Sequence, residues 1–364
     1  MQNIDYNPIL IIGGGLFGLT AAIIFAENGH EVLVVEKEKD ILRGATQINQ
    51  NRIHYGYHYP RSLQTGKEAL EGLDAFTRYY GDAIYEEFTK YYAIAKDGSY
   101  LTASEFVDFC KVLNIPLEER WPSKEYLNHD LIEACWKVYE PVFDYNILRR
   151  NILKRIQNLR NIKIVRNAEL SMVEQLDDIR YRIELNNGYT FITQFIINAT
   201  YSGLNSVLHL FGLERVKANY ELLILPILET QSALSPIGVT IMDGPFCSIM
   251  PKGKNSNQFI LSHVRNSVVQ SHIGTKTPLW NPVDGWVERD IINASALYYP
   301  FIKQMDLVDS WITTKMVLPN QEIDDARPTM VINHRKNLIS VFSGKITTCV
   351  SAANELYHTY CSTK

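Results

Sequence analysis

The sequence predicts an α/β fold with a Rossmann-type nucleotide-binding domain and a second, α+β domain built on an antiparallel sheet. The first observation is an apolar run at residues 9–12 that leads directly into a Gly-Gly-Gly-Leu-Phe-Gly turn. The second is a helical spacing of apolar residues at 19–28, followed by another apolar run that ends on Glu36. Strand, GxGxxG turn, helix, strand and acid in this order form the dinucleotide-binding pattern. The third is the length of 364 residues, which is enough for about two domains.

Each conserved position of such a turn has a physical reason in this chain. Gly13 permits the tight turn, Gly15 lets the backbone approach a pyrophosphate, and Gly18 lets the helix pack against the strand. The helix N-terminus offers free amides and a positive dipole to the phosphates. Glu36 can accept hydrogen bonds from a ribose hydroxyl, whereas it would repel a 2'-phosphate. The predicted nucleotide contacts are Gly13, Gly15, Leu16, Phe17, Gly18, Glu36 and Lys37.

Composition and charge exclude several classes of protein. A net charge of −4 with sparse basic groups gives no reason to expect a nucleic-acid partner. The five cysteines are odd in number and widely spaced, without the clusters of a metal site, which favours free thiols in a reducing compartment. No apolar run of about 18 residues occurs, and the apolar run at the start is too short for a signal peptide. We therefore expect a cytoplasmic protein without a transmembrane segment or a metal.

Periodicity and turn signals predict the remaining elements. Asp144 or Asn146 can begin a helix with an apolar face, and Asn186-Asn187-Gly188 predicts a hairpin turn. The predicted strands lie at residues 162–165, 181–185, 190–197, 220–227, 238–242, 246–250, 258–263 and 337–342, and the predicted helices at 66–80, at 286–305 and after 348. The four strands between residues 220 and 263 predict the antiparallel sheet of the second domain.

The segment at residues 43–63 carries the most specific pattern. It contains a His-x-Gly-x-x-Tyr string followed by Pro and Ser-Leu, formed by His54, Gly56, Tyr59, Pro60, Ser62 and Leu63. This segment resembles the D-amino-acid-oxidase-like, or glycine-oxidase-like, FAD-dependent oxidoreductases. It is most similar to L-2-hydroxyglutarate dehydrogenases, with one residue fewer between the Tyr and the Ser. The resemblance implies that the segment passes along the flavin and that the FAD contacts include Ala45, Thr46, Asn49, Gln50 and His54.

Two further segments resemble the same family and favour FAD over NAD. The Gly-Lys-Ile-Thr-Thr string at residues 344–348 looks like the C-terminal flavin-binding element of FAD-dependent glycerol-3-phosphate dehydrogenases. Residues 195–205 resemble the family's strand that ends in Asn-Ala and a glycine turn near the ribose and pyrophosphate. The FAD contacts that these resemblances imply are Ala199, Thr200, Gly344, Lys345, Ile346 and Thr347.

The resemblance is good over residues 8–66, 138–205 and 325–357. It implies a discontinuous FAD-binding domain of the Rossmann, glutathione-reductase-2-like type, formed by residues 1–80, 140–215 and 325–364. Residues 81–139 and 216–324 then form the substrate or cap domain. Because these two segments resemble the family only weakly, we expect them to determine the substrate.

Flavin oxidation needs a C–H bond aimed at flavin N5, a proton acceptor and a substrate anchor. His54 is the first candidate for the base, since a neutral imidazole accepts a proton at neutral pH, although it can equally be only a flavin contact. Lys345 can stabilise the negative charge of reduced flavin. Arg327 can clamp a carboxylate or phosphate, or pair with a neighbouring Asp. The predicted catalytic residues are His54, Arg327 and Lys345, and the predicted substrate contacts are Tyr57, His58, Tyr59, Arg61 and Arg327.

These residues predict an FAD-dependent dehydrogenase or oxidase. It would move a hydride from a C–H next to an amine or hydroxyl to flavin N5, with oxygen or a quinone as the electron acceptor. The substrate would be small and anionic, such as an amino acid, a 2-hydroxy acid or a sugar-like polyol. Two alternatives stay open: a flavin-dependent isomerase similar to UDP-galactopyranose mutase, and a non-catalytic flavoprotein subunit. Covalent attachment of the flavin to His54 or Cys349 is also open.

Overall fold

The computed structural model describes residues 5–231, 236–319 and 328–363. The helices in these ranges are α1 (Leu16–Glu27), α2 (Leu63–Tyr80), α3 (Ala103–Leu113), α4 (Tyr145–Asn158), α5 (Leu204–Leu210), α6 (Val287–Ala296) and α7 (Cys349–Thr363). The strands are β1 (Asp5–Tyr6), β2 (Ile9–Ile12), β3 (Val32–Val35), β4 (Ile84–Tyr85), β5 (Thr89–Ala95), β6 (Glu118–Glu119), β7 (Ile132–Val138), β8 (Val142–Phe143), β9 (Ile162–Val165), β10 (Leu170–Gln175), β11 (Tyr181–Leu185), β12 (Thr190–Thr193), β13 (Phe195–Asn198), β14 (Ala218–Glu229), β15 (Ile237–Met242), β16 (Cys247–Pro251), β17 (Gln258–His263), β18 (Val268–Gly274), β19 (Asp306–Val317), β20 (Met330–Arg335) and β21 (Leu338–Phe342).

Six strands form the sheet of the nucleotide-binding domain, in the order β20-β21-β13-β2-β3-β9. Neighbours from β21 to β9 are parallel, and β20 pairs antiparallel with β21. Ile9 and Ile11 of β2 pack in one core with α1 and α7, while Leu10 and Ile12 pack in another with β11 and β12. Because both faces are covered, the strand is apolar at every position. The predicted Rossmann-type domain is confirmed.

One predicted strand, at residues 190–197, is two strands in different layers. β12 belongs to a four-stranded sheet in the order β1-β12-β11-β10, whereas β13 belongs to the six-stranded sheet. The backbone amides of Gln194 and Phe195 both donate to Pro8 O, at 3.3 and 3.0 Å, so the chain changes layers there. The predicted hairpin turn is confirmed, since β11 and β12 pair antiparallel and Gly188 has a φ of +83°.

A nine-stranded sheet forms the second domain, in the order β18-β14-β17-β16-β15-β5-β7-β6, with β19 also paired to β14. The four predicted strands, β14 to β17, pair antiparallel with one another as expected, whereas β5, which the sequence patterns do not indicate, pairs parallel with β15. The sequence patterns also do not indicate β18 and β19. Both strands are largely exposed, so they lack the apolar alternation that marks a half-buried strand.

The strands of these two large sheets fall within the chain segments assigned to the two domains. All strands of the six-stranded sheet lie within residues 1–80, 140–215 or 325–364, and all those of the nine-stranded sheet lie within 81–139 or 216–324. The boundaries between the domains stay a prediction. A small ladder of β4 and β8 lies where the chain passes from one segment to the other.

Helix starts follow local capping. Asp144 Oδ1 accepts the N–H of Ile147 at 3.0 Å at the start of α4, which decides between the two predicted caps. The predicted helix at residues 286–305 is α6 followed by a 3₁₀ helix, Pro300–Gln304, because a proline donates no backbone N–H to extend an α-helix. In the ranges that the structure covers, no helix has both the length and the apolar character needed to cross a bilayer.

Candidate active site

Four predicted cofactor segments meet at one edge of the six-stranded sheet. The glycine turn follows β2, Glu36 follows β3, Ala199 follows β13, and Gly344 lies two residues after β21. These four strands are parallel to one another. Since the carboxyl ends of parallel strands meet at the same edge, this is the place where doubly wound sheets bind their ligands.

The glycine turn is packed as its predicted roles require. Gly13 has a φ of +108°, and an added Cβ would lie 2.6 Å from Ala199 O. At Gly18 an added Cβ would lie 2.0 Å from Gly13 O, so the helix approaches the turn closely. At Gly15 the nearest atom to such a Cβ is Thr46 Oγ1, at 3.6 Å. Gly15 therefore has space in front of its backbone, whereas the other two glycines are surrounded by protein.

The N-cap residue of α1 contributes no side-chain cap. Gly15 is the N-cap and offers no side-chain acceptor, and the first turn holds no acidic residue. Thr46 Oγ1 accepts the N–H of Leu16 at 3.0 Å. Thr46, which was predicted as an FAD contact, therefore stabilises the first turn of α1. Phe17 is half-buried next to it. The remaining amides and the helix dipole favour an anion at this end.

Glu36 ties the end of β3 to the glycine turn. Its Oε2 accepts the N–H of Gly14 at 2.6 Å, and its Oε1 accepts the N–H of Glu38 at 2.8 Å. Each carboxylate oxygen has a second lone pair, so a contact to the ribose stays a prediction. Lys37 is exposed, and its contact to the nucleotide stays a prediction as well.

The segment that was expected along the flavin is held by its own polar groups. Asn49 donates to the backbone oxygens of Ala45 and Thr46, at 2.9 and 3.0 Å, and accepts the N–H of Asn51 at 2.6 Å. Gln50 Oε1 accepts the hydroxyl of Ser248 at 3.2 Å. Asn49 thus shapes the loop through its side chain, while Gln50 joins the loop to the nine-stranded sheet.

The two other cofactor segments are also built by local hydrogen bonds. Thr200 Oγ1 donates to Asn198 Oδ1 at 2.6 Å, and the N–H of Gly344 donates to Thr329 Oγ1 at 3.0 Å. Thr347 is fully buried, and its Oγ1 finds no hydrogen-bond partner among the described residues. A buried hydroxyl of this kind calls for a partner, which a bound cofactor can supply.

His54 lies beside a buried carboxylate. Its Nδ1 is 3.5 Å from Glu140 Oε1, and Glu140 is only 1% exposed. The other oxygen, Oε2, accepts the hydroxyl of Tyr92 at 2.8 Å and lies 3.9 Å from Lys90 Nζ. Burial by itself raises the pKa of Glu140, but the interaction with His54 and the nearby positive charges outweigh it and hold the pKa at about 2. Glu140 is therefore ionised at neutral pH.

Three predicted site residues surround His54. Its ring stacks on His58, with centroids 5.5 Å apart, and Tyr59 lies 5.4 Å away. Lys345 Nζ lies 4.9 Å from the Tyr59 ring centroid and 3.7 Å from Glu68 Oε2. The structure thus brings His54 and Lys345 into one cluster, although 291 positions separate them in the sequence.

The cluster keeps His54 neutral and reachable. Burial lowers the pKa of His54, and the positive charges of Arg52 and Lys345 lower it further, against the opposing effect of Glu140. His54 nevertheless keeps 20% of its side-chain surface exposed, so a ligand can contact the ring. A neutral, accessible imidazole can accept a proton.

The other predicted substrate contacts have different surroundings. Tyr57 is fully buried and donates its hydroxyl to Pro116 O at 2.6 Å, which places it in the core of the second domain rather than at an open surface. Its aromatic ring is needed for packing there. Arg61 is paired with Asp243. Arg327 lies outside the described residues.

Sequence reasoning missed three buried charged residues beside the cluster. Arg52 is buried, with Nη1 3.2 Å from His58 Nδ1 and Nη2 donating to Ser248. Lys90 and Glu140 are also buried, and both stand among apolar and aromatic residues in the sequence. That context is the available signal, since a charge inside an apolar stretch of chain is rarely tolerated unless it is paired.

Comparisons with known proteins identify the family. The model of the FAD-dependent oxidoreductase family DAO matches residues 8–311. The chain is 26% identical over 275 residues to the FAD-dependent monooxygenase kojA of Aspergillus flavus, covering 72% of this chain and 63% of that protein. It is 23% identical over 248 residues to the FAD-dependent monooxygenase FPY4 of Fusarium mangiferae, covering 68% and 62%. The chain thus spans less than two thirds of the length of these relatives.

Solved structures show the same fold. Glycine oxidase from Geobacillus kaustophilus superposes with a TM-score of 0.77 at 14% identity, covering 100% of this chain and 96% of that one. The dithionite-reduced L-α-glycerophosphate oxidase from Mycoplasma pneumoniae, with FAD bound, gives a TM-score of 0.76 at 15% identity, covering 98% and 95%.

The described residues fit FAD. The start of α1, with a glycine as its N-cap and no acidic residue in its first turn, suits a pyrophosphate, and the buried Thr347 hydroxyl still needs a hydrogen-bond partner within the described ranges. Gly15, Leu16 and Gly344 would hold the cofactor together with Thr347. Because the family model covers most of the sequence, the chain belongs to the DAO family of FAD-dependent oxidoreductases.

Proposed function

We propose that this protein is an FAD-dependent dehydrogenase or oxidase that acts on a C–H bond next to an amine or hydroxyl. The observation that carries the proposal is the neutral His54 ring, which lies against His58 and Tyr59 and close to Lys345. FAD, when bound, supplies the two-electron acceptor at N5. His54 accepts the proton of the substrate amine or hydroxyl.

The charges of the cluster support a small anionic substrate. Arg52 and Lys345 are both buried, and a buried cation is stabilised by an anion that replaces its lost hydration. His58, Tyr59 and Arg61 are the proposed contacts around that substrate, with Arg327 as a further anchor. The structural neighbours support the same class, since they include glycine oxidase, L-α-glycerophosphate oxidase and L-amino acid deaminase.

Other parts of the proposal follow the sequence. The electron acceptor is oxygen or a quinone, and the protein acts in the cytoplasm, where the free thiols of all five cysteines persist. The domain boundaries are those predicted from the resemblance. The family match gives no support to the isomerase alternative.

Anaerobic flavin reduction tests the proposal. The purified FAD-loaded protein is mixed with amino acids, 2-hydroxy acids and polyol phosphates, and loss of the oxidised flavin absorbance is followed. We expect one of these classes to bleach the flavin, and His54→Ala to slow that reaction by about 10²-fold or more. The matched control is His272→Ala, since His272 is exposed and lies on β18. An unchanged rate in His54→Ala would contradict the role of His54 as the base.

A second candidate is a monooxygenase, which the names of the curated relatives favour. The two reactions differ in the product. A monooxygenase transfers one atom of ¹⁸O₂ to its product, whereas an oxidase or dehydrogenase leaves the substrate without that label. Mass spectrometry of the product formed under ¹⁸O₂ distinguishes them.

A further inference from the structure

Backbone pairing places His54 opposite Glu140. The N–H of Ile53 donates to Pro141 O at 2.9 Å, and the N–H of Phe143 donates to Asn51 O at 2.8 Å. An antiparallel bridge pairs Arg52 with Val142. This isolated bridge holds the two stretches of chain side by side, and two residues beyond it Nδ1 of His54 lies 3.5 Å from Oε1 of Glu140.

The oxygens of Glu140 have different partners. Oε2 accepts the hydroxyl of Tyr92 and lies nearer to Lys90, whereas Oε1 faces His54 Nδ1. At 3.5 Å the contact between Oε1 and Nδ1 is longer than an ordinary hydrogen bond, and neither atom has a hydrogen-bond partner in the described part of the chain. An ionised carboxylate can only accept hydrogen bonds, so it favours the tautomer of the neutral ring that carries the proton on Nδ1. Nε2 then keeps its lone pair for the substrate.

A structural role as the counter-ion of Lys90 explains the geometry less well. Lys90 Nζ is 3.9 Å from Glu140, but it lies 3.0 Å from Met250 Sδ and donates to Thr240. Burial lowers the pKa of Lys90 well below its ordinary value, and the charge of Arg52 lowers it further, against the opposing effect of Glu140. The carboxylate lies closer to His54, at 3.5 Å, than to Lys90, at 3.9 Å.

We propose that Glu140 is a positioning residue that holds His54 as the Nδ1–H tautomer and stabilises its protonated form during the reaction. The proposal rests on the proposed role of His54 as the base. When His54 accepts the substrate proton at Nε2, the resulting imidazolium lies beside an ionised carboxylate. The groups that face His54 and set its titration are Glu140, Arg52, His58, Tyr59 and Lys345.

The tautomer can be measured without any substrate. The FAD-loaded protein is labelled with ¹⁵N-histidine, and the His54 signals are assigned by their loss in His54→Ala. We expect long-range ¹H–¹⁵N spectra to show a protonated Nδ1 and an unprotonated Nε2 at neutral pH. A wild-type His54 that carries its proton on Nε2 would overturn the proposal.

Glu140→Gln tests the charge. Because Glu140 raises the pKa of His54, we expect the variant to titrate at lower pH, to mix the two tautomers, and to reduce flavin about tenfold more slowly at the pH optimum. Glu221→Gln is the matched control, since Glu221 pairs with Lys315 at 2.9 Å on β14. A purely structural role would lower the melting temperature of Glu140→Gln and leave the titration of His54 unchanged, which would overturn the proposal.

The experiments distinguish an error in the role of His54 as the base from an error in the role of Glu140 as a positioning residue. If His54→Ala reduces flavin at the wild-type rate, the base assignment is wrong, while the tautomer of His54 still decides the role of Glu140. If His54→Ala is slow but Glu140→Gln keeps both the tautomer and the titration, only the positioning role is wrong.

Discussion

Two glycines of one turn are expected to respond in opposite ways to the same added methyl group. In Gly18→Ala the new Cβ would lie 2.0 Å from Gly13 O, whereas ordinary contacts begin at 3.4 Å. The turn must therefore move by roughly 1.4 Å, and overpacking of this kind costs about 1–3 kcal/mol. In Gly15→Ala the Cβ meets only Thr46 Oγ1, at 3.6 Å, and the backbone already has a φ of −79° that alanine adopts. The free energy of unfolding of that apoprotein should change by about 0.5 kcal/mol or less.

Gly15→Ala, which should leave the stability of the apoprotein nearly unchanged, should weaken the binding of FAD. The methyl group of Gly15→Ala would take up the space that lets the protein backbone approach the pyrophosphate of FAD. We therefore expect the dissociation constant for FAD to rise about tenfold or more, equivalent to about 1.4 kcal/mol. Urea denaturation of the apoprotein and fluorescence titration with FAD measure the two quantities. Gly285→Ala is the control, because an added Cβ there meets nothing within 4 Å. A Gly18→Ala apoprotein as stable as the wild type, or wild-type FAD affinity in Gly15→Ala, would refute the reasoning.

Two further predictions concern a charge and a helix cap. Lys345→Met removes a positive charge that lowers the pKa of His54, so the pKa of His54 should rise. The acidic limb of the pH profile of flavin reduction should then move to higher pH, and an unchanged pH profile would contradict this prediction. Asp144→Ala removes the acceptor for the Ile147 N–H and should lower the free energy of unfolding by about 1 kcal/mol in urea. Asp144→Asn keeps an acceptor and should lose less; equal losses in the two variants would contradict the cap.

Local sequence determined the nucleotide-binding half of the fold. The run at residues 9–12, the glycine turn and the strand ending before Glu36 are specified by neighbours within about 30 positions, and the structure has them as predicted. The caps agree as well, because Asp144 bonds to a backbone amide three positions away. Such interactions can be predicted from the sequence because both partners lie in the same short stretch of chain.

The strand pairing of the second domain could be predicted only in part from the sequence, because it depends on contacts between distant segments. Whether β15 pairs with β5 in parallel depends on packing between segments almost 150 positions apart, which no local periodicity encodes. The change of layer at Gln194 is likewise determined by the two sheets in which the flanking strands pair. The six apolar or β-branched residues around Gln194 do not indicate it.

The site divides in the same way. The glycine motif and its flanking strands predict a dinucleotide-binding chain, and the family resemblance implies His54 and Lys345 as site residues. That Glu140 lies beside His54, that Lys90 lies 3.9 Å from Glu140, and that Tyr57 is fully buried becomes evident only in the folded chain. A buried charge is stabilised by partners that arrive from distant strands, so its role becomes visible only when those strands are assembled.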